Sequence, residues 1–71
     1  MKAIDARGLS CPEPVIRARF AINKLTPGTK LEVLVENMTS RENVCRTAHS
    51  LGCTVEVVDH KNWFSLIIEK P

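Results

Sequence analysis

Residues 5–14 read DARGLSCPEP, and this stretch contains the junction between a predicted first strand and a predicted first helix. Gly8 permits the positive φ of a sharp turn. Pro12 and Pro14 lack backbone N–H groups at the start of a helix, where such groups have no intrahelical partners. The pattern predicts that Cys11 is the N-cap residue of this helix.

Two helices are predicted from apolar residues that recur at helical spacing. The first runs from residue 12 to about residue 25, and Thr26-Pro27-Gly28 ends it. The second runs from residue 39 or 40 to residue 51, because Thr39 and Glu42 have the spacing of a capping box. The predicted buried positions are Val15, Ala18, Ile22 and Leu25 in the first helix and Val44, Ala48 and Leu51 in the second.

Four strands are predicted from alternation of apolar residues. The first two span residues 2–6 and 30–36, and the last two flank a turn at residues 59–62. The inward positions are Ile4 in the first strand, Leu31, Val33 and Val35 in the second, Cys53, Val55 and Val57 in the third, and Phe64, Leu66 and Ile68 in the fourth. The order β-α-β-α-β-β predicts an α/β two-layer sandwich, with both helices on one face of the sheet.

Composition narrows the class of protein. The 71 residues predict one domain, residues 1–71, and the charge of +2 comes from ten basic and eight acidic residues spread along the chain. Without a basic block or a long apolar run, we expect neither direct nucleic-acid binding nor a membrane span. The opening MKAIDARG lacks the apolar core of a signal peptide, so we expect the cytoplasm. Three cysteines cannot all pair within one chain, which disfavours a disulfide framework.

Cys11 is the candidate reactive residue. Cysteine is a poor N-cap for stability, so chemistry is the better explanation for it there. The positive end of the helix dipole lowers the pKa of a thiol and favours the nucleophilic thiolate. Arg7 and Ser10 either assist the sulfur or are plain loop residues, and an inert cap thiol is the alternative for Cys11 itself. Glu13 is better explained by the helix dipole than as a proton acceptor.

Residues 5–14 resemble the signature of the TusA/SirA/YedF family of small sulfur-carrier proteins. The resemblance covers the whole chain and implies a mixed sheet in which the fourth strand lies antiparallel between the second and the third. It also implies that Cys11 accepts sulfane sulfur from a cysteine desulfurase or another persulfide donor and relays it to an acceptor protein, as a sulfurtransferase-like carrier. Supporting roles fall on the motif positions Asp5, Arg7, Gly8, Ser10, Pro12, Glu13 and Pro14.

The segment from Val35 to Val44 is more similar to the YedF branch, whose members are often linked to selenium metabolism. Many YedF proteins continue into a second domain with a DsrE-like fold. The resemblance therefore leaves tRNA thiolation and other pathways open, and it makes a DsrE-like protein one class of acceptor.

The other two cysteines have simpler explanations. Cys53 faces inward on a predicted strand, where cysteine acts as a small hydrophobe. Cys45 and His49 are four residues apart on the second helix, but two ligands do not make a zinc site, so we expect a partly exposed helix flank and no metal. Cys11 is followed by Pro-Glu-Pro rather than by a second cysteine, which disfavours a thioredoxin-like dithiol.

Two apolar surfaces remain. Ile16 and Phe20 are four residues apart on the first helix, just beyond Cys11, and are the predicted partner-binding residues. The second surface is on the sheet face away from the helices and comprises Leu34, Val58, Trp63 and Ile67. We expect this face to contact another chain or domain, although scattered surface apolar residues are the simpler alternative.

Two functions from different classes fit these features. The first is a protein-only sulfur relay through a persulfide on Cys11, which needs no bound cofactor. The second is a non-catalytic binding or regulatory module linked to selenium or redox metabolism, in which the sheet face matters more than the thiol. Fast alkylation of a single cysteine at neutral pH distinguishes the first from the second.

Overall fold

The computed structural model describes residues 2–10 and 12–71 and has the predicted order of secondary structure. The strands are β1 (Lys2–Asp5), β2 (Lys30–Val35), β3 (Thr54–Asp59) and β4 (Phe64–Glu69), and the helices are α1 (Glu13–Lys24) and α2 (Met38–Ser50). No helix within these described ranges is long and apolar enough to cross a membrane.

The four strands form one mixed sheet in the order β1-β2-β4-β3. β1 and β2 are parallel, and β4 is antiparallel to both β2 and β3. The expected position of β4 between β2 and β3 is confirmed. Ile4 pairs with Val33, and Val33 pairs with Leu66, so inward side chains meet across the sheet.

The core lies between the sheet and the two helices, which pack against each other on one sheet face. The alternation predicted for β2 is confirmed, because Leu31, Val33 and Val35 are fully buried. The buried partners from the other elements are Ala18 and Ile22 of α1, Val44 and Ala48 of α2, and Leu66 and Ile68 of β4. The edge strand β3 is less covered: Val57 faces the helix side as predicted, in register with buried Leu66, but its side chain is exposed rather than buried.

The predicted starts of both helices are wrong by one or two residues. Pro12, not Cys11, is the N-cap of α1, because the Pro12 carbonyl accepts the first helical hydrogen bond from the Ile16 N–H at 3.1 Å. Asn37, not Thr39, caps α2, because its Oδ1 accepts a hydrogen bond from the Ser40 N–H at 2.7 Å. Asn37 has the extended backbone of a cap residue, whereas Thr39 already lies within the helix.

Candidate functional site

The candidate site begins where the chain leaves β1. The Ala6 N–H donates to the Leu34 carbonyl at 2.9 Å, which extends the β1–β2 pairing by one residue, and Ala6 is buried. The Leu9 N–H then donates to the Ala6 carbonyl at 3.4 Å. Backbone bonds thus hold both ends of the tight turn at residues 6–9.

Asp5 and Arg7 form a clamp on this turn. The Arg7 Nε and Nη2 atoms donate to the two Asp5 carboxylate oxygens at 2.9 and 3.0 Å, and the Arg7 N–H donates to Asp5 Oδ1 at 3.1 Å. The Arg7 side-chain and backbone hydrogen bonds lower the pKa of Asp5 below its ordinary value of 3.8. The hydrogen bond to Asp5 raises the pKa of Arg7, with a smaller contribution from the charge of Glu36.

Gly8 is tied to the second strand. Its φ is +80°, which glycine adopts without strain, and its N–H donates to Glu36 Oε1. Sequence reasoning placed Glu36 in a strand and gave it no role. The carboxyl ends of parallel neighbours meet at one sheet edge, so the position of Glu36 just after β2 was the available signal.

The motif residues after the turn build the start of α1. The Ser10 carbonyl accepts from the Glu13 N–H at 2.9 Å. Pro14 is fully buried and is therefore a packing residue. Glu13 Oε2 lies 3.5 Å from Arg17 Nε in an exposed i,i+4 ion pair, which fits the stabilising explanation of this carboxylate. Cys11 lies outside the described residues.

The start of α1 therefore has few free N–H donors. Pro12 and Pro14 have none, and the Glu13 N–H is used by the Ser10 carbonyl. Any preference for a thiolate beside this helix start must come chiefly from the helix dipole rather than from hydrogen bonds of these groups.

The turn also reaches the sheet face away from the helices. The Arg7 guanidinium carbon lies 5.0 Å from the Trp63 ring centroid. His60 stacks on Trp63 with ring centroids 3.9 Å apart, and His60 Nε2 lies 2.9 Å from the Ser65 hydroxyl oxygen. We call Arg7, His60, Trp63 and Ser65 the Trp63 cluster.

This sheet face is partly covered by the protein's own side chains. Leu34 and Val58 flank Ser65 in register, and Ser65 is only 2% exposed. The four apolar residues assigned to this face, Leu34, Val58, Trp63 and Ile67, are all half-buried. Side chains from the turn before α1 and from the β3–β4 turn cover part of the patch. Its contact with another chain stays a prediction.

The predicted partner-binding residues lie on α1 and not on this sheet face. Ile16 and Phe20 are 54% and 63% exposed, which makes them two of the most exposed large apolar side chains described. They line a groove of about 320 Å³ between β1 and α1, whose apolar surface also includes Ile4 and Ala21. We call this the β1–α1 groove.

The remaining thiols lie elsewhere. Cys53 is 4% exposed in the core, as predicted. Cys45 is half-buried, and burial raises the pKa of its thiol. It lines a separate cavity of about 460 Å³ together with Arg41, Arg46 and His49. Within residues 2–10 and 12–71, no three His, Cys, Asp or Glu side chains form a group that could hold a metal ion.

Comparison with known proteins gives consistent matches. A family model described as Sulfurtransferase TusA matches residues 2–70. A candidate sulfur carrier protein from Methanocaldococcus jannaschii is 34% identical over 71 residues, which cover 99% of this chain and 95% of that protein. Sulfur carrier protein TusA from Pseudomonas aeruginosa is 35% identical over 49 residues, 69% of this chain and 62% of that protein. The crystal structure of a SirA-like protein from Desulfitobacterium hafniense has a TM-score of 0.87 and 37% identity, covering 96% of this chain and 95% of that chain.

Proposed function

Because the chain belongs to the TusA family of sulfur carriers, we propose that Cys11 carries sulfane sulfur as a persulfide and passes it to an acceptor protein. The observation that carries the proposal is the arrangement of the turn before α1. Asp5, Arg7, Gly8 and Glu36 brace this turn, and Pro12, the residue after Cys11 in the sequence, is the N-cap of the helix that follows.

The relay consists of two thiol exchanges. The Cys11 thiolate attacks the terminal sulfur of a donor persulfide, so a new S–S bond forms on Cys11, the donor S–S bond breaks and the donor leaves as a thiolate. An acceptor thiolate then attacks the terminal sulfur on Cys11 and releases the Cys11 thiolate. Each step conserves sulfane sulfur and needs no external oxidant, reductant or bound cofactor.

In this proposal, the residues that flank Cys11 in the motif act by holding the backbone in place. The Asp5–Arg7 clamp and the Gly8–Glu36 bond hold the turn, while Ser10, Pro12, Glu13 and Pro14 form the helix start. The helix dipole favours negative charge at this end of α1. Ile16 and Phe20 supply the surface on which a partner covers the sulfur.

The partners that fit the relay are a cysteine desulfurase or another persulfide donor and a downstream acceptor, for which a DsrE-like protein is one class. We place the exchange in the cytoplasm, where thiols remain reduced. No direct contact with nucleic acid or a membrane is part of the proposal. The binding-module alternative gains no specific support, because Arg7 and His60 cover part of the Trp63 face.

Thiol reactivity tests this proposal against the binding module. With limiting iodoacetamide at pH 7, the peptide containing Cys11 should be alkylated at least about tenfold faster than those containing Cys45 and Cys53. Cys45→Ser should leave that fast phase intact, and Cys11→Ser should remove it. Equal rates for Cys11 and Cys45 would contradict the proposal.

A further inference from the structure

The β1–α1 groove combines an apolar floor with a basic rim. The floor is formed by Ile4, Ile16, Phe20 and Ala21. The rim is formed by Lys2, Arg17 and Lys24. Among the residues that the structure describes, none of those lining the groove is acidic. An apolar surface bordered by one sign of charge selects a partner with apolar side chains and the opposite charge.

The basic character extends beyond the groove. An adjoining cavity of about 510 Å³ shares Lys2 and Lys24 with it, adds Lys30, and is likewise lined by no acidic residue of the described chain. The whole sequence has ten basic and eight acidic residues, so the overall composition does not account for this local excess. Within this basic surface, Arg17 contacts Glu13 at 3.5 Å in an exposed ion pair, and Lys30 stands opposite Glu69 of β4.

The aromatic ring on the groove floor, Phe20, is also in contact with a positive charge. Lys24 Nζ lies 4.3 Å from the Phe20 ring centroid, although both side chains are on the surface. The lysine stem and the ring together form one wall of the groove. A carboxylate from a partner that reaches Lys24 would therefore lie beside an apolar side chain resting on Phe20.

We propose that the β1–α1 groove binds an amphipathic helical segment of a partner protein, with apolar residues on one face and carboxylates beside them. This rests on the proposed function, in which a protein must cover Cys11 during sulfur exchange. The groove lies close to that point, since the Ile16 N–H bonds to the carbonyl of Pro12, the residue after Cys11.

A helix fits better than the other occupants. An extended strand would pair with the free edge of β1, but that edge strand has only four residues and begins with Lys2, a residue that discourages edge pairing. Single-stranded RNA binds through stacking on several aromatic rings, and the described lining has one aromatic ring among aliphatic side chains. An apolar helix face packs directly into such a groove.

Labelled helical peptides of about 18 residues test the proposal by fluorescence anisotropy. Three peptides share a leucine face and carry glutamate, glutamine or lysine on the flanking positions. The glutamate peptide should bind most tightly, and its affinity should fall as salt rises from about 50 to about 200 mM. Glutamine and glutamate peptides of equal affinity, or tighter binding of a labelled uridine oligonucleotide, would overturn the proposal.

Charge reversal supplies the matched control. Arg17→Glu/Lys24→Glu should weaken binding of the glutamate peptide by roughly tenfold or more and improve binding of the lysine peptide. Arg19→Glu/Arg46→Glu makes the same change in net charge at exposed helix positions outside the groove and should weaken binding less than about twofold. Equal losses in the two variants would overturn the proposal. Phe20→Ser, which adds no charge, should also weaken binding by roughly tenfold.

Loading from a small donor separates this proposal from the proposed function. Glutathione persulfide needs no docking surface, so it should load Cys11 equally in the native protein and in Arg17→Glu/Lys24→Glu. Absence of loading in the native protein would contradict the relay while leaving the peptide result standing. Loading lost only in the reversed variant would show that these charges act on Cys11 chemistry, which would overturn docking as their role.

Discussion

The two surfaces that border the turn before α1 differ in how their side chains are held. In the Trp63 cluster, ring stacking, a cation–π contact and a hydrogen bond to buried Ser65 connect the turn to the sheet. In the β1–α1 groove, Ile16 and Phe20 are more than half exposed. The first arrangement suits a rigid support and the second suits a surface that another protein covers.

Truncating an aromatic side chain on each surface should give the largest contrast. Trp63→Ala should lower the free energy of unfolding by about 2 kcal/mol, because it removes a half-buried ring packed on His60 and Arg7. Phe20→Ala should change it by no more than about 0.5 kcal/mol. Urea unfolding measures both. Equal losses would remove the distinction between a supporting and an open surface.

Sulfur transfer should show the opposite contrast, with the larger effect in the β1–α1 groove. Ile16→Asp/Phe20→Asp should slow sulfur transfer from a protein donor by about tenfold or more with little change in unfolding, because it places charge on the apolar floor. Arg19→Asp/Asn23→Asp adds two carboxylates at exposed positions of the same helix outside the groove and is the control. Transfer rates are followed by mass spectrometry of the acceptor. Unchanged transfer in the first variant, with its fold intact, would mean that docking occurs elsewhere.

Substitutions at two glycines should distinguish a loss of protein stability from a specific effect of the turn on the reactivity of Cys11. Gly8→Ala and Gly28→Ala both force a side chain into a positive φ, and each should cost roughly 1 kcal/mol of stability. Only Gly8 lies in the turn bonded to Glu36, so only Gly8→Ala should also slow alkylation of Cys11 by a few-fold. If Gly28→Ala slows alkylation as much, general loss of stability is the cause and the turn has no special role.

The smallest expected effect is a pH dependence of the Asp5–Arg7 clamp. The pKa of Asp5 is lower in the folded protein than its ordinary value of 3.8, so this carboxylate stabilises the fold above that pH and loses its contribution as pH falls below it. Asp5→Asn should be less stable than the native protein at pH 7 and equal to it at low pH. Trp63 fluorescence gives a local readout through Arg7. A difference that persists unchanged at low pH would contradict this linkage.

Local pattern and family resemblance predicted most of the fold. Alternation identified the buried face of β2, and the helical period identified Val44 and Ala48, because both signals depend on neighbouring residues. The position of β4 came from the resemblance, since pairing order is not a local property. The predicted caps are wrong because residue type alone does not determine where a helix starts. Pro12 is the N-cap of α1 although it has no capping side chain, and backbone geometry identifies Asn37 rather than Thr39 as the N-cap of α2.

The stretch of sequence that forms the candidate site was predictable, but the contacts that hold it in place were not. Residues 5–14 carried the motif. Their supporting contacts, however, come from distant parts of the chain. Gly8 bonds to Glu36 across 28 positions, and Arg7 meets Trp63 beyond the second helix. Neither contact follows from the spacing of residues in the sequence. The Gly8–Glu36 bond depends on β1 and β2 ending at the same sheet edge, and the Arg7–Trp63 contact depends on the conformation of the β3–β4 turn.

The measurement that tests the central claim most directly is the location of transferred sulfur. After incubation with a cysteine desulfurase and cysteine, mass spectrometry should find one added sulfur on the peptide containing Cys11, and a reductant should remove it. Cys11→Ser should abolish the adduct, whereas Cys45→Ser should keep it, because burial raises the pKa of the Cys45 thiol and so disfavours its reactive thiolate. Sulfur found mainly on Cys45, or equally on Cys11, Cys45 and Cys53, would contradict the account.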